Sequence, residues 1–163
     1  QMTVAREGAI APLIALLRDG TPEEKTQAAD TLGMIAINTD NKVTLANEGA
    51  IPLLIALLRD GTPEGKTNAA GALLNIAINV DNKVTVAREG AIPPLVALLR
   101  DGTPEGKTDL KERAAGALGN IAYNDNAAGA LLNIAINVDN KVTVAREGAI
   151  PPLLCFEMAL LRE

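Results

Sequence analysis

The sequence predicts an all-α protein made of stacked helical repeats, and three observations support this fold class. A phrase ending in Glu-Gly recurs at Gly8, Gly49, Gly90 and Gly148, and its first three copies are 41 residues apart. Apolar residues make up 48% of the chain and aromatic residues 1%, so the core consists of small aliphatic side chains that suit closely packed helices. Gly and Pro interrupt the apolar pattern at corresponding places in the copies. A fixed period of this length indicates a repeat architecture.

Each repeat contains three predicted helices, which are clearest in the third copy. The first, "NKVTVARE", has Asn82 as a candidate N-cap and ends at Gly90, because glycine tolerates the left-handed turn that follows a helix. The second, "AIPPLVALLRD", has prolines near its start, where a missing N–H does no harm, and it stops at Gly102. The third begins at the cap residue Thr103, with Pro104 in the first helical position.

The third helix has the most distinctive pattern. In the second copy it reads "PEGKTNAAGALLNIAIN" and is apolar around most of its circumference, which predicts burial on several sides. In the first copy, Thr21 and Glu24 have the spacing of a capping box. Gly65 and Gly106 replace the glutamate in later copies, so we expect weaker helix starts there.

A seventeen-residue insertion, residues 109–125, breaks the period between the third and fourth copies. Residues 68–95 and 126–153 are identical at all 28 positions, which indicates either recent duplication or design from a consensus. If residues 104–137 formed one helix, the insertion would rotate its second apolar face by about 100° from the first. A helix break at residues 124–126 is the favoured resolution; a protruding rod and a swap of the last repeat into another molecule are the alternatives. The inserted residues bring no new chemistry and are interpreted as a disturbance of the fold.

Charge and cysteine content argue against several classes of function. Fifteen basic and twenty acidic residues give a net charge of −5 without basic clusters, which disfavours nucleic-acid binding and suits a basic peptide better. Cys155 is the single cysteine and histidine is absent, so an intrachain disulfide, a zinc site and a His-based triad are excluded. We expect Cys155 to be a buried structural thiol, and we expect no enzymatic activity, cofactor, metal ion or membrane association, and a cytoplasmic location. No apolar run approaches the roughly 18 residues that span a membrane, and no signal peptide is recognised.

Two phrases resemble ligand-binding motifs without meeting their requirements. "GTPEGKT", at residues 61–67 and 102–108, has three residues between its first Gly and the Gly-Lys-Thr, whereas a phosphate-binding loop has four. Pro63 also removes a backbone donor. "NVDNKVTVAREG" places Lys83 at a calcium-ligand position and Gly90 where the loop needs its closing Glu. Both phrases are therefore interpreted as turns and caps of the repeat.

A unit made of a short helix, a Gly break, a "GAIPPLVALLRDGT" helix and a long "AAGALLNIA" helix resembles the armadillo repeat. The likeness covers nearly the whole chain. It implies a right-handed α-solenoid of about three and a half units in a single domain, with the third unit enlarged by the insertion. The HEAT repeat, which usually has two helices per unit, is the alternative. The units span approximately residues 1–40, 41–81, 82–138 and 139–163.

Armadillo proteins bind extended peptides along a concave surface lined by the third helices, so the resemblance implies a non-enzymatic protein–protein interaction scaffold. In that family an Asn in the phrase "NIA" bonds the peptide backbone; the matching residues here are Asn75, Asn120 and Asn133, while Met34 takes this position in the first unit. Each of these Asn residues has an alternative interpretation as a surface residue bonded by water or by a neighbouring helix.

The family also has a Trp four residues before this Asn, and its rings form pockets for peptide side chains. No Trp occurs in this chain. The corresponding positions are Asp30, Gly71, Gly116 and Gly129. Because aromatic anchors usually carry much of the energy of an interface, we expect peptide binding to be weak.

Self-association is the competing function, in which the chain is a structural or designed repeat protein with no natural ligand. The verbatim copies support it, and so does an apolar final segment that no third helix of its own unit covers. We expect this end, or a swapped last unit, to form a homo-oligomer. The residues expected to mediate the contact are Leu153, Leu154, Phe156, Leu160 and Leu161.

Overall fold

Eight α-helices make up the part of the chain that the computed structural model describes, residues 2–100 and 108–122. No β-strand occurs within those residues, so the predicted all-α class is confirmed. None of the described helices combines the length and the apolar character that a bilayer crossing needs. In chain order the helices are α1 (Met2–Asp19), α2 (Pro22–Ile35), α3 (Thr39–Asn47), α4 (Ala50–Asp60), α5 (Pro63–Ile76), α6 (Val80–Arg88), α7 (Ile92–Arg100) and α8 (Thr108–Ala122).

Three helices per repeat are confirmed for the second and third copies, which contain α3 to α5 and α6 to α8. Gly49 and Gly90 separate the first two helices of their repeats, with φ angles of 80° and 86° in the left-handed region that favours glycine. In the first copy α1 instead runs through Gly8 without a break. A Cβ added to Gly8 would meet no atom within 4 Å, and the same is true of Gly49, so local space does not distinguish the continuous helix from the turn.

The predicted capping box at the start of α2 is confirmed. The backbone N–H of Glu24 donates to Oγ1 of Thr21 at 3.3 Å, and the backbone N–H of Thr21 donates to Oε2 of Glu24 at 2.8 Å. At the start of α5 half of this arrangement remains, since the N–H of Gly65 donates to Oγ1 of Thr62 at 3.0 Å. Each side chain satisfies a backbone N–H that the first turn of a helix leaves without a partner.

The predicted N-cap of the short helix is wrong by three residues. Asn79 caps α6, and its Oδ1 accepts from the N–H groups of Asp81 and Asn82. Asn82 is instead buried, with 4% of its surface exposed, and its Nδ2 donates to the carbonyl oxygen of Lys42 in the preceding repeat at 2.9 Å. A buried amide needs hydrogen-bond partners, and this one finds them by linking two repeats.

Helix α5 lies at the centre of the described core. It packs against α4 of its own repeat and against the third helices of both neighbouring repeats, α2 and α8. Leu73 and Ile76 are fully buried there. The predicted burial of this helix on several sides is therefore confirmed, and the three third helices α2, α5 and α8 lie side by side.

The first part of the insertion continues this row as α8. In α8 the segment "RAAGALGNIA", residues 113–122, takes the register that residues 68–77 have in α5. The four residues "DLKE" that precede this segment are therefore the added ones, and they lengthen the chain ahead of it. Leu110, from this added turn, is 3% exposed and joins the core. The helix break expected at residues 124–126 lies outside the described residues.

Candidate functional site

A groove runs across the third helices and has a volume of about 270 Å³. Helix α2 forms one side of it, α5 forms its floor, and a side chain of α8 forms the other side. It contains a mixture of amide, aliphatic and charged side chains. The lining residues are Asp30, Gly33, Met34, Ile37, Asn68, Gly71, Ala72, Leu74, Asn75 and Arg113.

Asn75, a predicted peptide-binding residue, lines this groove and is partly buried. Its Nδ2 donates to the carbonyl oxygen of Gly33, in the last turn of α2, at 3.0 Å. The N–H of Ile37, four residues after Gly33, bonds Met34 instead at 3.2 Å. The Gly33 carbonyl therefore has no backbone N–H partner within the helix, as is common for carbonyls in a last turn. The side chain of Asn75 supplies the missing donor.

Asn120 repeats this arrangement one helix further along. Its Nδ2 donates to the carbonyl oxygen of Leu74, in the last turn of α5, at 3.0 Å. The N–H of Ile78 bonds the carbonyl of Asn75 rather than that of Leu74. Consecutive third helices are therefore linked by equivalent amide bonds. The register predicted for Asn120 places it as the counterpart of Asn75 despite the insertion.

Each of these amides keeps unused hydrogen-bonding groups, but Asn75 lines the groove and Asn120 does not. A primary amide has two N–H donors and an oxygen with two acceptor sites, and only one donor is used at Asn75 and at Asn120. No residue in the described ranges donates to either Oδ1. The third predicted residue, Asn133, lies outside the described residues, and so do Leu153, Leu154, Phe156, Leu160 and Leu161. Met34, the equivalent of Asn75 in the first repeat, is 57% exposed.

Other side chains occupy the space that the family's Trp would take. A Cβ added to Gly71 would lie 2.5 Å from Nη1 of Arg113, and one added to Gly116 would lie 2.9 Å from Cδ1 of Leu74. The absence of a β-carbon at Gly71 thus lets the arginine of the next repeat lie across α5. Apolar contact area in the groove comes instead from Met34 and from Ile37, which is 71% exposed.

Sequence reasoning missed two residues of this groove, Asn68 and Arg113. Nδ2 of Asn68 donates to the carbonyl of Thr26 at 3.2 Å, and Nε of Arg113 donates to Oδ1 of Asp109 at 2.9 Å. The signal that could have revealed them is their spacing, because each lies seven residues before its "NIA" asparagine and therefore on the same helix face. The expectation that the insertion brings no new chemistry is wrong at Arg113, which introduces a cation into the groove.

Comparisons with known proteins agree with this geometry. The family model for the armadillo/beta-catenin-like repeat matches residues 38–78 and 79–123, together just over half of the chain. The second match spans the lengthened unit and ends with α8 and the residue after it. No curated protein sequence matches the chain at a significant level.

Solved structures similar to the chain include designed armadillo repeat proteins. One, in complex with the peptide (KR)4, is 28% identical with a TM-score of 0.69 over 93% of this chain and 58% of its own length. Another, from a set computationally designed for modular peptide recognition, is 29% identical with a TM-score of 0.68 over the same shares. A third designed armadillo repeat protein is 26% identical with a TM-score of 0.64, over 88% of this chain and 72% of its own. The chain thus spans under two thirds of the length of the first two.

Proposed function

The chain belongs to the armadillo repeat family, and from this premise we propose that it is a non-enzymatic scaffold that binds extended peptides along the face formed by α2, α5 and α8. We further propose that residues 1–163 form one repeat domain. The observation that carries the proposal is the Asn75 amide, which is held in the groove by Gly33 while its Oδ1 stays available. The designed relatives, one of them in complex with a peptide, support it.

An extended peptide suits this amide because its backbone presents N–H and C=O groups without internal partners. Oδ1 of Asn75 can accept from a peptide N–H, and the second N–H of Nδ2 can donate to a peptide carbonyl. The bond to Gly33 fixes the side-chain rotamer before the ligand arrives. Less conformational entropy is then lost on binding, which favours association.

The groove favours modest affinity. A net contribution of about 0.5–1.5 kcal/mol for each hydrogen bond corresponds to roughly 2- to 10-fold in affinity per amide. Met34 and Ile37 add exposed aliphatic surface without the aromatic anchors that dominate tight interfaces. We therefore expect dissociation constants of roughly 0.1–1 mM for short peptides.

Fluorescence anisotropy with labelled peptides tests the proposal. The probes are (KR)4 and an amidated peptide of about nine alternating Ser, Thr and Val residues, whose β-branched content favours an extended chain. We expect binding to at least one probe, weakened about 3- to 10-fold by Asn75→Ala. Asn47→Ala, at an exposed amide on α3 outside the groove, is the matched control and should leave affinity unchanged. Absence of binding to both probes up to about 1 mM would overturn the proposal.

Self-association is the second candidate, favoured by the exposed aliphatic side chains of Ile37, Ile78 and Val80, each more than half exposed. Ile37 and Ile78 are equivalent residues of consecutive repeats and form an apolar row beyond the ends of α2 and α5. Light scattering on a size-exclusion column, across a wide concentration range, discriminates the two candidates. A mass of 16.9 kDa throughout favours the free groove, whereas a stable dimer favours self-association.

A further inference from the structure

We propose that Arg113 makes the groove selective for extended peptides that carry an acidic side chain, Asp or Glu, on the α8 side. This inference rests on the proposed peptide-binding function and adds the chemical class of the ligand. It follows from three features of the guanidinium: its free donors, the way it is held, and the charges around it.

The guanidinium of Arg113 has donors to spare. An arginine carries five N–H groups, and Asp109 uses the one at Nε. Within the described residues neither Nη atom has a hydrogen-bond partner, although both belong to a side chain that is only 34% exposed. The four N–H groups at Nη1 and Nη2 thus remain without a partner within the described residues, and Arg113 lines a groove that can hold a ligand.

Two contacts hold the guanidinium in place without blocking those donors. The ion pair between Arg113 and Asp109 spans one helical turn and engages the Nε edge of the side chain. Gly71 lies beneath the guanidinium and has no side chain to displace it. The Nη1 and Nη2 edge is thus left as a preorganised fork, which matches the two oxygens of a carboxylate.

The surrounding charges place the acidic side chain on the α8 side. Asp30 is the other ionisable residue lining the groove, and it belongs to α2, on the opposite side from α8. Asp30 and Arg113 form no ion pair with each other within the described residues. The two sides of the groove therefore carry opposite charges. A peptide carboxylate is repelled near Asp30 and attracted to the Nη edge of Arg113, although the carboxylate of Asp109 at the Nε edge reduces this attraction. Because the whole chain carries a net charge of −5, this preference is local rather than a product of long-range attraction.

The occupant to which these observations point is a Glu or Asp within the peptide. Arg113 lies over Gly71, and Asn68 and Asn75 are one turn before and one turn after Gly71 on α5, where their amides can bond the peptide backbone. A charge-assisted bidentate pair is stronger than a neutral hydrogen bond, and partial exposure of Arg113 reduces the difference. We expect a Glu-containing peptide to bind about 2- to 5-fold more tightly than its Gln counterpart.

The test uses the full chain and three peptides of about nine residues, acetylated and amidated at their ends so that no terminal charge contributes, with Glu, Gln or Lys at the centre. By anisotropy we expect Glu to bind more tightly than Gln, and Gln more tightly than Lys. Arg113→Gln should remove the difference between Glu and Gln, and Arg113→Glu should reverse the order. Arg113→Lys keeps the charge without the fork and should give an intermediate preference.

Arg18→Gln is the matched control, because it makes the same change in net charge at an exposed residue of α1 outside the groove. It should leave the preference for Glu intact. Circular dichroism establishes that each variant is folded, and Arg113→Lys decides the test should the Gln or Glu variant unfold. Equal affinity for the three peptides, or an unchanged preference in the Arg113 variants, overturns the inference while the peptide scaffold stands. Absence of binding to all three overturns the inference, and absence of binding to the two earlier probes as well overturns the scaffold.

Discussion

The bond between Asn75 and α2 leads to a quantitative expectation for Asn75→Asp at neutral pH. This substitution keeps the size and shape of the side chain and replaces the Nδ2 donor by a carboxylate oxygen. In the wild-type chain Nδ2 lies 3.0 Å from the carbonyl oxygen of Gly33. After the change two acceptors would face each other at that distance without a proton between them. Helices α2 and α5 would then lose a hydrogen bond and gain a repulsive contact.

The expected size of the effect is about 2 kcal/mol in the free energy of unfolding, from two contributions. Loss of the hydrogen bond contributes about 1 kcal/mol. This loss is smaller than for a fully buried group, because Asn75 is partly buried and water can reach the unpaired carbonyl. A negative charge next to the last residue of α5 meets the negative end of the helix dipole, which adds about 0.3–1 kcal/mol. The repulsion between the new carboxylate and the Gly33 carbonyl adds little more, because the partly exposed side chain can turn toward water.

Urea unfolding followed by circular dichroism measures this effect, with the m-value compared between variants. Gln27→Glu is the matched control, since it changes an amide to a carboxylate at an exposed position of α2 and should shift stability by less than about 0.5 kcal/mol. Asn120→Asp repeats the test between α5 and α8, where the geometry is equivalent. If Asn75→Asp unfolds at the same urea concentration as the wild type, the amide does not bond Gly33 and the argument for its preorganisation fails.

Three further expectations follow from the packing. Leu73→Ala empties a fully buried site at the centre of α5 and should lower the free energy of unfolding by about 2–5 kcal/mol in urea titrations; a loss below 1 kcal/mol would contradict the central role of α5. Thr21→Ala removes the capping box of α2 and should cost about 1 kcal/mol, while a neutral result would mean that Glu24 alone suffices. Gly71→Ala should raise thermal stability slightly, by up to about 1 kcal/mol, because alanine favours helix and only the flexible end of Arg113 must move. The same variant should bind the Glu peptide less tightly, and a gain in that affinity would count against the placement of Arg113.

Much of the helical architecture followed from local signals in the sequence. The 41-residue period, the glycines at the left-handed turns and the capping pair Thr21 and Glu24 each have a local physical cause, and the structure confirms them. Burial of α5 also followed, because a helix that is apolar on all sides has few stable placements outside a core. The one exception among these signals is Gly8, where the same phrase continues a helix. Glycine permits a left-handed turn but does not by itself impose one.

The asparagines were harder to assign because the deciding contacts come from other repeats. Asn79 and Asn82 both precede a helical pattern, and both have the intrinsic preference of a cap residue. What separates them is the carbonyl of Lys42, forty residues earlier, which Asn82 reaches and Asn79 does not. Likewise the Gly33 carbonyl makes Asn75 a link between helices as well as a candidate ligand contact. The two interpretations of Asn75 weighed from the sequence are therefore compatible, since one amide proton serves the fold and the remaining groups face the groove.

Arg113 could not be placed from sequence because its position depends on how four added residues are accommodated. Burial of Leu110 anchors the added turn in the core and brings "AAGALGNIA" of α8 into the register of "AAGALLNIA" in α5. Once this register is set, Arg113 occupies the position that Asn68 has one repeat earlier, and its side chain extends over Gly71. The neighbouring alanines, Ala69 and Ala114, are fully buried in both repeats, whichever residue precedes them. The position held by Asn68 in one repeat and by Arg113 in the next varies between otherwise near-identical copies, while its neighbours stay buried. At this position the charge of the groove can change without a change of fold.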